Sequence, residues 1–324
     1  MTEARIIRFH ETGGPDVLTE ETHNVDEPGP AEVIVRNAAI GLNFIDTYHR
    51  TGLYPVELPF VPGTEGAGII EAVGSDVTHV SEGDRVVYLA PGGAYATHAK
   101  LPAASMVKLP DAVDDETAAA TFLKGLTAWM LLFEVHKARP GDTALIWAAA
   151  GGVGSLIVPW AASLGMNVIG IVSTKRKAER VLENGANHAV LVNEDIVERV
   201  KELTDGKGVD VAYDSVGKDS AEISLKSLRP RGLFVTYGNA SGPVDPIAPG
   251  RLGMAGSVVM TRPSLFDFVS TPEEISRGAA ALFGALRVGT ITAGVGQRYP
   301  LAEAAEAHRA LEARQTMGST VLLP

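Results

Sequence analysis

Short apolar or alternating segments, separated by Gly and Pro, fill the first third of the chain. This spacing predicts a β-rich unit, because period-two alternation buries one face of a sheet and Gly and Pro mark the turns. Strands are predicted at Arg5–Phe9, Val33–Ala39, Gly66–Val73, Arg85–Leu89 and Tyr95–His98. Regular short strands of this kind favour a small barrel-like domain.

Near residue 112 the pattern changes to a long helix, predicted over Thr117–Val135, and then to alternating buried strands and helices. The strands are Thr143–Ala148, Asn167–Val172, Ala189–Val192, Val209–Tyr213, Gly232–Tyr237 and, as a sixth, Ser257–Met260. The helices between them are Val153–Leu164, Lys175–Asn184, Asp195–Thr204 and Asp219–Leu228. This series predicts an α/β fold with a doubly wound parallel sheet.

After Pro263 the alternation ends. Two helices, Glu273–Arg287 and Leu301–Arg314, are predicted there, with a short strand between them after Gly289 and a final strand at Ser319–Leu323. Because six strands already complete the parallel sheet, we expect this tail to return to the first domain.

Composition narrows the class of protein. The 324 residues, 45% hydrophobic and 21% charged, exclude a mainly disordered chain and suggest about two domains. The net charge of −11 disfavours nucleic acid and anionic membranes as partners. The absence of cysteine excludes disulfides, thiolate catalysis and Cys-ligated zinc, and it fits a reducing, cytoplasmic compartment.

No membrane segment is expected. The uncharged stretch Ala144–Val172 is interrupted by five glycines and a proline, which fits a strand, a turn and a helix better than one spanning helix. The first residues include an acid and no apolar run of signal-peptide length, so no signal peptide is expected either.

The segment Ala148–Gly154 follows a predicted strand and opens a predicted helix. It matches the dinucleotide-binding pattern G-x-G-x-x-G with Ala149 in place of the first glycine. Small residues let the backbone approach a pyrophosphate, which the amides at the helix N-terminus stabilise. We therefore expect Gly151, Gly152 and Val153 to face a pyrophosphate; the alternative is a tight structural turn.

The end of the next strand decides which dinucleotide is bound. NAD sites usually carry an acid there, whereas this chain has Ser173, Thr174 and three cations from Lys175 to Lys177. Each charge-assisted bond to a 2′-phosphate contributes about 1.5–3 kcal/mol, which favours NADPH over NADH. The alternatives are a solvated basic helix start or RNA binding, and RNA conflicts with the net charge.

Several segments together resemble the medium-chain dehydrogenase/reductase superfamily, and within it the zinc-free, zeta-crystallin-like quinone oxidoreductase branch. They are Asn43–Tyr48, Pro62–Gly68, Gly83–Val86, Phe122–Thr127, Tyr213–Gly217 and Thr261–Leu265. The resemblance implies a GroES-like catalytic domain, residues 1–122 and 265–324, and an NADPH-binding Rossmann domain with six strands, residues 123–264. It also implies a homodimer joined through the sixth strand.

Zinc-dependent relatives have a Cys near Asp46 and a His-Glu pair near Thr64-Glu65. This chain has neither the Cys nor that His, so no metal is expected, and His49 and His98 are expected to be ordinary residues. Without a Lewis acid, hydride addition to a quinone remains feasible, because its delocalised oxygen needs only positioning and one or two donors.

The resemblance assigns further cofactor contacts. Asn43, Phe44 and Tyr48 should line the nicotinamide end with Thr127 nearby, and Tyr48 and Asn43 are the candidate catalytic residues. The other expected contacts are Ser173, Thr174 and Lys177 at the 2′-phosphate, Ser215, Gly238 and Asn239 along the cofactor, and Arg262 and Arg314 over its nicotinamide half. Arg50 could contact the cofactor or face solvent.

The function expected from the sequence is direct hydride transfer from NADPH to a quinone, without metal or flavin. An NADPH-dependent reductase of enone, alkenal or enoyl-thioester double bonds needs the same cofactor and stays open. So does an NADPH-binding structural or sensor protein without turnover.

Overall fold

The computed structural model describes residues 2–292 and 294–324, which form two compact units. The first unit contains residues 2–124, 269–283 and 294–324, and the second contains Gly125–Phe268 and Gly284–Thr292. The sequence-based boundaries lie within four residues of the divisions after 124 and 268. Residues 284–292, which the sequence assigned to the catalytic domain, group with the second unit.

The first unit is built on antiparallel strands. A two-stranded sheet pairs β1 (Thr2–Arg8) with β2 (Thr19–Val25). The seven-stranded sheet has the order β14-β15-β3-β4-β5-β7, with β6 paired to β3. Its strands are β3 (Glu32–Leu42), β4 (Glu65–Val73), β5 (Arg85–Leu89), β6 (His98–Pro102), β7 (Met106–Lys108), β14 (Val295–Pro300) and β15 (Ser319–Leu323). Alternate side chains such as Val33, Val35 and Tyr88 form its core.

Local pattern misled the prediction at several places in this unit, and the three-residue strand β7 was one of the elements missed. The strand predicted at Tyr95–His98 begins only at His98. The strand β2 was missed because most of its side chains are polar and exposed. The helix α1 (Phe44–Thr51) was also not predicted as an element; its glycine C-cap, Gly52, has φ +78° and ends it as helices commonly end.

Helix α2 (Asp115–Trp129) continues as one π-helical segment, Met130–Val135. The sequence pattern predicts a single helix over this stretch. By length and composition, Asp115–Val135 could cross a membrane, but 78% of its most apolar window is buried in the protein. The burial identifies it as a core helix, whose apolar character serves packing.

The second unit is a six-stranded parallel sheet with the order β10-β9-β8-β11-β12-β13, which confirms the predicted doubly wound fold. Its strands are β8 (Thr143–Trp147), β9 (Asn167–Val172), β10 (His188–Leu191), β11 (Val209–Asp214), β12 (Leu228–Thr236) and β13 (Val259–Thr261). Its helices are α3 (Gly154–Ser163), α4 (Lys175–Glu183), α5 (Ile196–Leu203), α6 (Ala221–Ser227) and α7 (Pro249–Met254). Apolar residues of the strands, including Leu145, Ile171 and Phe234, form the core.

The chain then forms α8 (Pro272–Arg287) and α9 (Ala304–Glu312) before β15. The last strand pairs antiparallel with β3, Val321 opposite Gly41, so it returns to the first sheet. The helix predicted to reach Arg314 ends at Glu312, because Arg314 has a left-handed φ of +58° that a helix cannot contain.

Candidate functional site

The glycine-rich turn leads from β8 into α3. Ala148 adopts a left-handed φ of +50°, and the amide of Gly151 donates to its carbonyl at 2.8 Å. A Cβ on Gly154 would lie less than 3 Å from the Ala148 carbonyl oxygen. Only glycine therefore lets the first turn of α3 pack this closely on the end of β8, which is the role of the third glycine in a dinucleotide-binding turn.

The turn also leaves donors for an anion. Among the backbone hydrogen bonds recorded for residues 2–292 and 294–324, none uses the amides of Gly152 or Val153. Both residues are only partly buried, directly before the N-terminus of α3. Open amides at a helix N-terminus fit a pyrophosphate, so this turn passes the geometric test for a dinucleotide.

The neighbouring strand β9 ends at the same edge of the sheet, since Trp147 of β8 is paired with Ile171. Ser173 and Thr174 follow it and are exposed. The hydroxyl oxygen of Thr174 caps α4 by accepting from the Lys177 amide at 3.3 Å. Hydroxyls and cations, with no carboxylate from residue 173 to 178, suit a phosphate ester at this point.

Asp214, at the end of β11, organises a third loop at this edge. Its Oδ1 accepts from the amides of Val216 (2.9 Å) and Gly217 (3.1 Å) and from the hydroxyl of Ser220 (2.7 Å). Its Oδ2 accepts from Ser224 at 2.7 Å. These four donors fix the loop that begins with Ser215. Asp214 lies within the motif Tyr213–Gly217, but nothing in the sequence pattern indicated this role.

Four predicted cofactor residues, Ser215, Gly238, Asn239 and Arg262, lie on this loop and its neighbours at the ends of β12 and β13. A Cβ on Gly238 would lie less than 3 Å from the Ser215 backbone. The guanidinium of Arg262 donates to the Gly238 carbonyl at 3.2 Å, and the Asn239 carbonyl accepts from the Gly242 amide at 2.9 Å. The structure therefore brings these four together.

In the first unit, Asn43 precedes α1 and Asp46 lies in its first turn. The backbone amide of Asn43 donates to Asp46 Oδ2 at 2.9 Å, and the Asn43 side chain accepts from the backbone amide of Asp46, which completes a capping box. Asp46 also accepts from the Thr64 hydroxyl (2.8 Å) and the Tyr95 hydroxyl (3.3 Å). Burial raises the pKa of Asp46 to about 6, although the Asn43 backbone amide and the Thr64 hydroxyl oppose the shift. Sequence spacing gave no sign of this network.

A second carboxylate, Glu65, is completely buried beside Asn43. It accepts from Asn43 Nδ2 at 2.8 Å, from Lys124 Nζ at 2.9 Å and from the Leu123 amide at 2.6 Å. The cluster therefore links the start of α1 to β4 and to α2. Lys124 and Glu65 lay inside motifs of the sequence, but nothing in the local pattern showed that they meet.

Aromatic rings surround the predicted donor. The ring of Tyr48 lies 6.2 Å from that of Phe44 and meets that of Tyr54 edge-on at 5.2 Å. Tyr48 is 8% exposed. Its ring is therefore held by packing on the helix that Asn43 and Asp46 begin.

Arg50 does not face solvent, which was one of its two expected positions. Its side chain is buried, and its Nη2 donates to Glu312 Oε1 at 2.5 Å. Its Nε and Nη1 have no hydrogen-bond partner in the described chain. Burial lowers the pKa of Arg50, and burial together with the Arg50 charge lowers the pKa of His308 to about 3.

The remaining predicted residues are also placed. Arg314 is exposed just beyond α9 in the first unit, and Thr127 is buried on α2 in the second unit. His49 packs edge-on against Phe60, and His98 pairs with Glu71 at 3.3 Å. Within residues 2–292 and 294–324, no group of three His, Asp or Glu side chains could hold a metal.

Comparisons with known proteins match both parts of the chain. Residues 29–111 match the family described as alcohol dehydrogenase GroES-like domain, and residues 152–277 match zinc-binding dehydrogenase. The chain is 51% identical over 324 residues to a quinone oxidoreductase of Pseudomonas aeruginosa, covering 99% of this chain and 100% of the relative. It belongs to the medium-chain dehydrogenase/reductase superfamily, in the zeta-crystallin-like quinone oxidoreductase branch.

Members of this superfamily branch with solved structures share the fold throughout. The quinone oxidoreductase of Escherichia coli complexed with NADPH has a TM-score of 0.97 and 46% identity, covering 99% of this chain and 100% of that one. A 2-haloacrylate reductase of Burkholderia is 47% identical over 325 residues, covering 98% of each protein. The GroES-like and Rossmann parts of the predicted fold are thereby confirmed.

Proposed function

We propose that this protein is an NADPH-dependent quinone oxidoreductase that transfers hydride directly from NADPH to a quinone, without metal or flavin. The observation that carries the proposal is the juxtaposition of the open amides of Gly152 and Val153 with the hydroxyls and cations after β9. That edge offers two separate anion sites, as NADPH requires. The similarity of the whole chain to quinone oxidoreductases supports a quinone as the acceptor.

Each predicted contact then has a physical task. Gly151, Gly152 and Val153 hold the pyrophosphate, while Ser173, Thr174 and Lys177 bind the 2′-phosphate. Ser215, Gly238, Asn239 and Arg262 line the cofactor from the loops after β11, β12 and β13. Asn43, Phe44, Tyr48, Thr127 and Arg314 contact its nicotinamide half. When bound, NADPH supplies the hydride.

The chain's own residues orient the reaction. Tyr48, rigidly packed on α1, is proposed to donate a hydrogen bond to the reduced acceptor oxygen. We propose that no zinc takes part, because the Asp46 carboxylate is already engaged by Asn43, Thr64 and Tyr95. A metal would have to displace all three donors.

The two units have different proposed tasks. We assign NADPH binding to the Rossmann domain, placed by sequence at residues 123–264, and catalysis to residues 1–122 and 265–324. A cytoplasmic location is proposed from the absence of cysteine and the acidic charge.

A second candidate is reduction of a conjugated carbon–carbon double bond. The similarity to a 2-haloacrylate reductase favours keeping it, since both reactions use the same cofactor and differ in the acceptor. Initial rates of NADPH oxidation with 1,4-benzoquinone, a naphthoquinone, a short enone and 2-chloroacrylate separate the two.

We expect the quinones to be reduced fastest, and dialysis against a strong chelator to leave that rate intact. Faster turnover of enone or haloacrylate would favour the second candidate. NADPH binding without turnover of any acceptor would favour a structural or sensor protein. A rate that falls in proportion to the metal removed would restore a metal-dependent mechanism.

A further inference from the structure

Glu65 and Lys124 form a buried ion pair that the proposed contacts leave without a task. The Glu65 carboxylate is 0% exposed and Lys124 is 5% exposed. Lys124 Nζ donates to Glu65 Oε1 at 2.9 Å, and the Leu123 amide donates to Oε2 at 2.6 Å. Oε1 accepts a further hydrogen bond from Asn43 Nδ2 at 2.8 Å. All four residues belong to the first unit.

These contacts determine the orientation of the Asn43 side-chain amide. A carboxylate that accepts from an ammonium and a backbone amide offers only lone pairs, so the Asn43 group that faces it must be the NH₂. The same nitrogen approaches the Gly41 carbonyl at 3.5 Å, again on the protein side. Both amide hydrogens are therefore directed into the protein. Oδ1 accepts from the backbone amide of Asp46 in the capping box and keeps one lone pair for a ligand.

The ion pair keeps this direction fixed. The Lys124 ammonium and the Asn43 side-chain NH₂ both donate to Glu65 Oε1, so the carboxylate is fixed in place and presents an acceptor to Asn43. Gly41 also has no side chain because a Cβ there would meet Glu65 at less than 3 Å, so the carboxylate occupies a closely shaped space.

We propose that Glu65 and Lys124 are positioning residues that hold Asn43 as a hydrogen-bond acceptor toward NADPH. This inference rests on the proposed function and makes it more specific. A quinone has only acceptor oxygens, so Asn43 in this orientation does not bind it. The nicotinamide riboside half of NADPH offers two donors, the carboxamide NH₂ and the ribose hydroxyls, and Asn43 accepts from one of them.

Calorimetric titration of the intact protein tests this with three ligands. They are NADPH, its 3-acetylpyridine analogue, which lacks the carboxamide NH₂, and an analogue with 2′-deoxyribose on the nicotinamide side. Wild-type protein should bind one analogue about 10-fold more weakly than NADPH. The side chain of the Glu65→Gln variant offers one acceptor oxygen where Glu65 offers two. This variant should therefore bind NADPH about 10-fold more weakly than wild type, while its affinity for that analogue should be unchanged.

Four variants make the result specific. Asn43→Ala should abolish the discrimination even if Glu65→Gln does not fold, and Lys124→Arg should retain it because the charge is kept. Glu312→Gln is the matched control, since it removes a carboxylate paired with the other end of α1 through Arg50; it should discriminate as wild type does.

The proposal is overturned if wild type discriminates against neither analogue, or if Glu65→Gln or Asn43→Ala discriminates as strongly as wild type. It is equally overturned if Glu65→Gln lowers the affinity for all three ligands by the same factor. Failure of the proposed function would look different: the wild-type protein would bind no NADPH or reduce no quinone.

Discussion

At the scale of single residues, the proposed preference for the 2′-phosphate depends on side chains that follow β9. The Thr174 hydroxyl caps α4 through the backbone amide of Lys177, not through its side chain. Truncating the lysine therefore leaves the cap and the helix start in place while removing a cation. This separates the electrostatic task of Lys177 from its structural one.

Lys177→Ala is expected to weaken NADPH binding by about 10- to 100-fold, the value of one charge-assisted hydrogen bond. NADH, which has no 2′-phosphate, should be nearly unaffected. Fluorescence titration with both nucleotides measures this. Lys201→Ala, an exposed cation on α5 paired with Glu198, is the control and should change neither affinity. Equal losses for NADPH and NADH would refute the assignment.

Asp46 gives a prediction about stability and pH. Its folded-state pKa of about 6 lies above the ordinary value of 3.8, so the folded protein binds more protons than the unfolded chain between those values. The free energy of unfolding should therefore fall as pH rises from about 4 to about 7, by about 3 kcal/mol from this group.

Asp46→Asn removes this titration. The difference in unfolding free energy between wild type and Asp46→Asn should therefore shrink as pH rises through that range, and urea denaturation at pH 4, 5, 6 and 7 measures it. A difference that does not vary with pH would show that Asp46 does not titrate there. The Glu312→Gln variant controls for removal of a carboxylate elsewhere in the unit.

At the scale of elements, the parallel sheet could be predicted from the sequence. The hydrogen-bond network of Asp46 and Glu65 around the start of α1 could not. Apolar strands and the turn at Ala148–Gly154 are local patterns, and they were found within one or two residues, except that β12 begins four residues before the predicted Gly232. The hydrogen bonds of Asp46 to Thr64 and of Glu65 to Lys124 join residues 18 and 59 positions apart. No periodicity reports such contacts; the resemblance pointed to the region but not to the network.

Gly154→Ala tests the packing of α3 on the phosphate-binding turn. The added methyl group would overlap the Ala148 carbonyl, so α3 must shift, at about 1–3 kcal/mol of stability. The shift would also move the amides of Gly152 and Val153, and NADPH affinity should fall more than 10-fold.

Gly253→Ala provides the matched control, because that glycine lies in α7 and an added methyl group there would meet open space. It should retain wild-type NADPH affinity and gain slightly in stability, as Ala does over Gly in a helix. Thermal unfolding and nucleotide titration of both variants measure these effects. Unchanged nucleotide affinity in Gly154→Ala would contradict the proposed position of the pyrophosphate.

At the scale of the whole molecule, the end of the parallel sheet explains why a homodimer is proposed. The edge strand β13 has three residues and pairs only with β12 among the described strands. Val259 on that strand is 57% exposed. An open edge with an exposed apolar side chain favours pairing with a second copy, and a two-fold interface would bring each β13 against its partner's.

Val259→Lys should therefore shift the protein from dimer to monomer, because like charges would meet across the two-fold axis and an edge lysine opposes strand addition. Sedimentation velocity at micromolar concentration measures the change. Val288→Lys alters an equally apolar, 70% exposed residue that follows α8 in the second unit, and this variant should remain dimeric. NADPH titration verifies that both variants are folded. A Val259→Lys protein that stays dimeric would place the interface elsewhere, and a monomeric wild type would exclude the dimer. Neither result would affect the proposed phosphate-binding edge at β8 and β9.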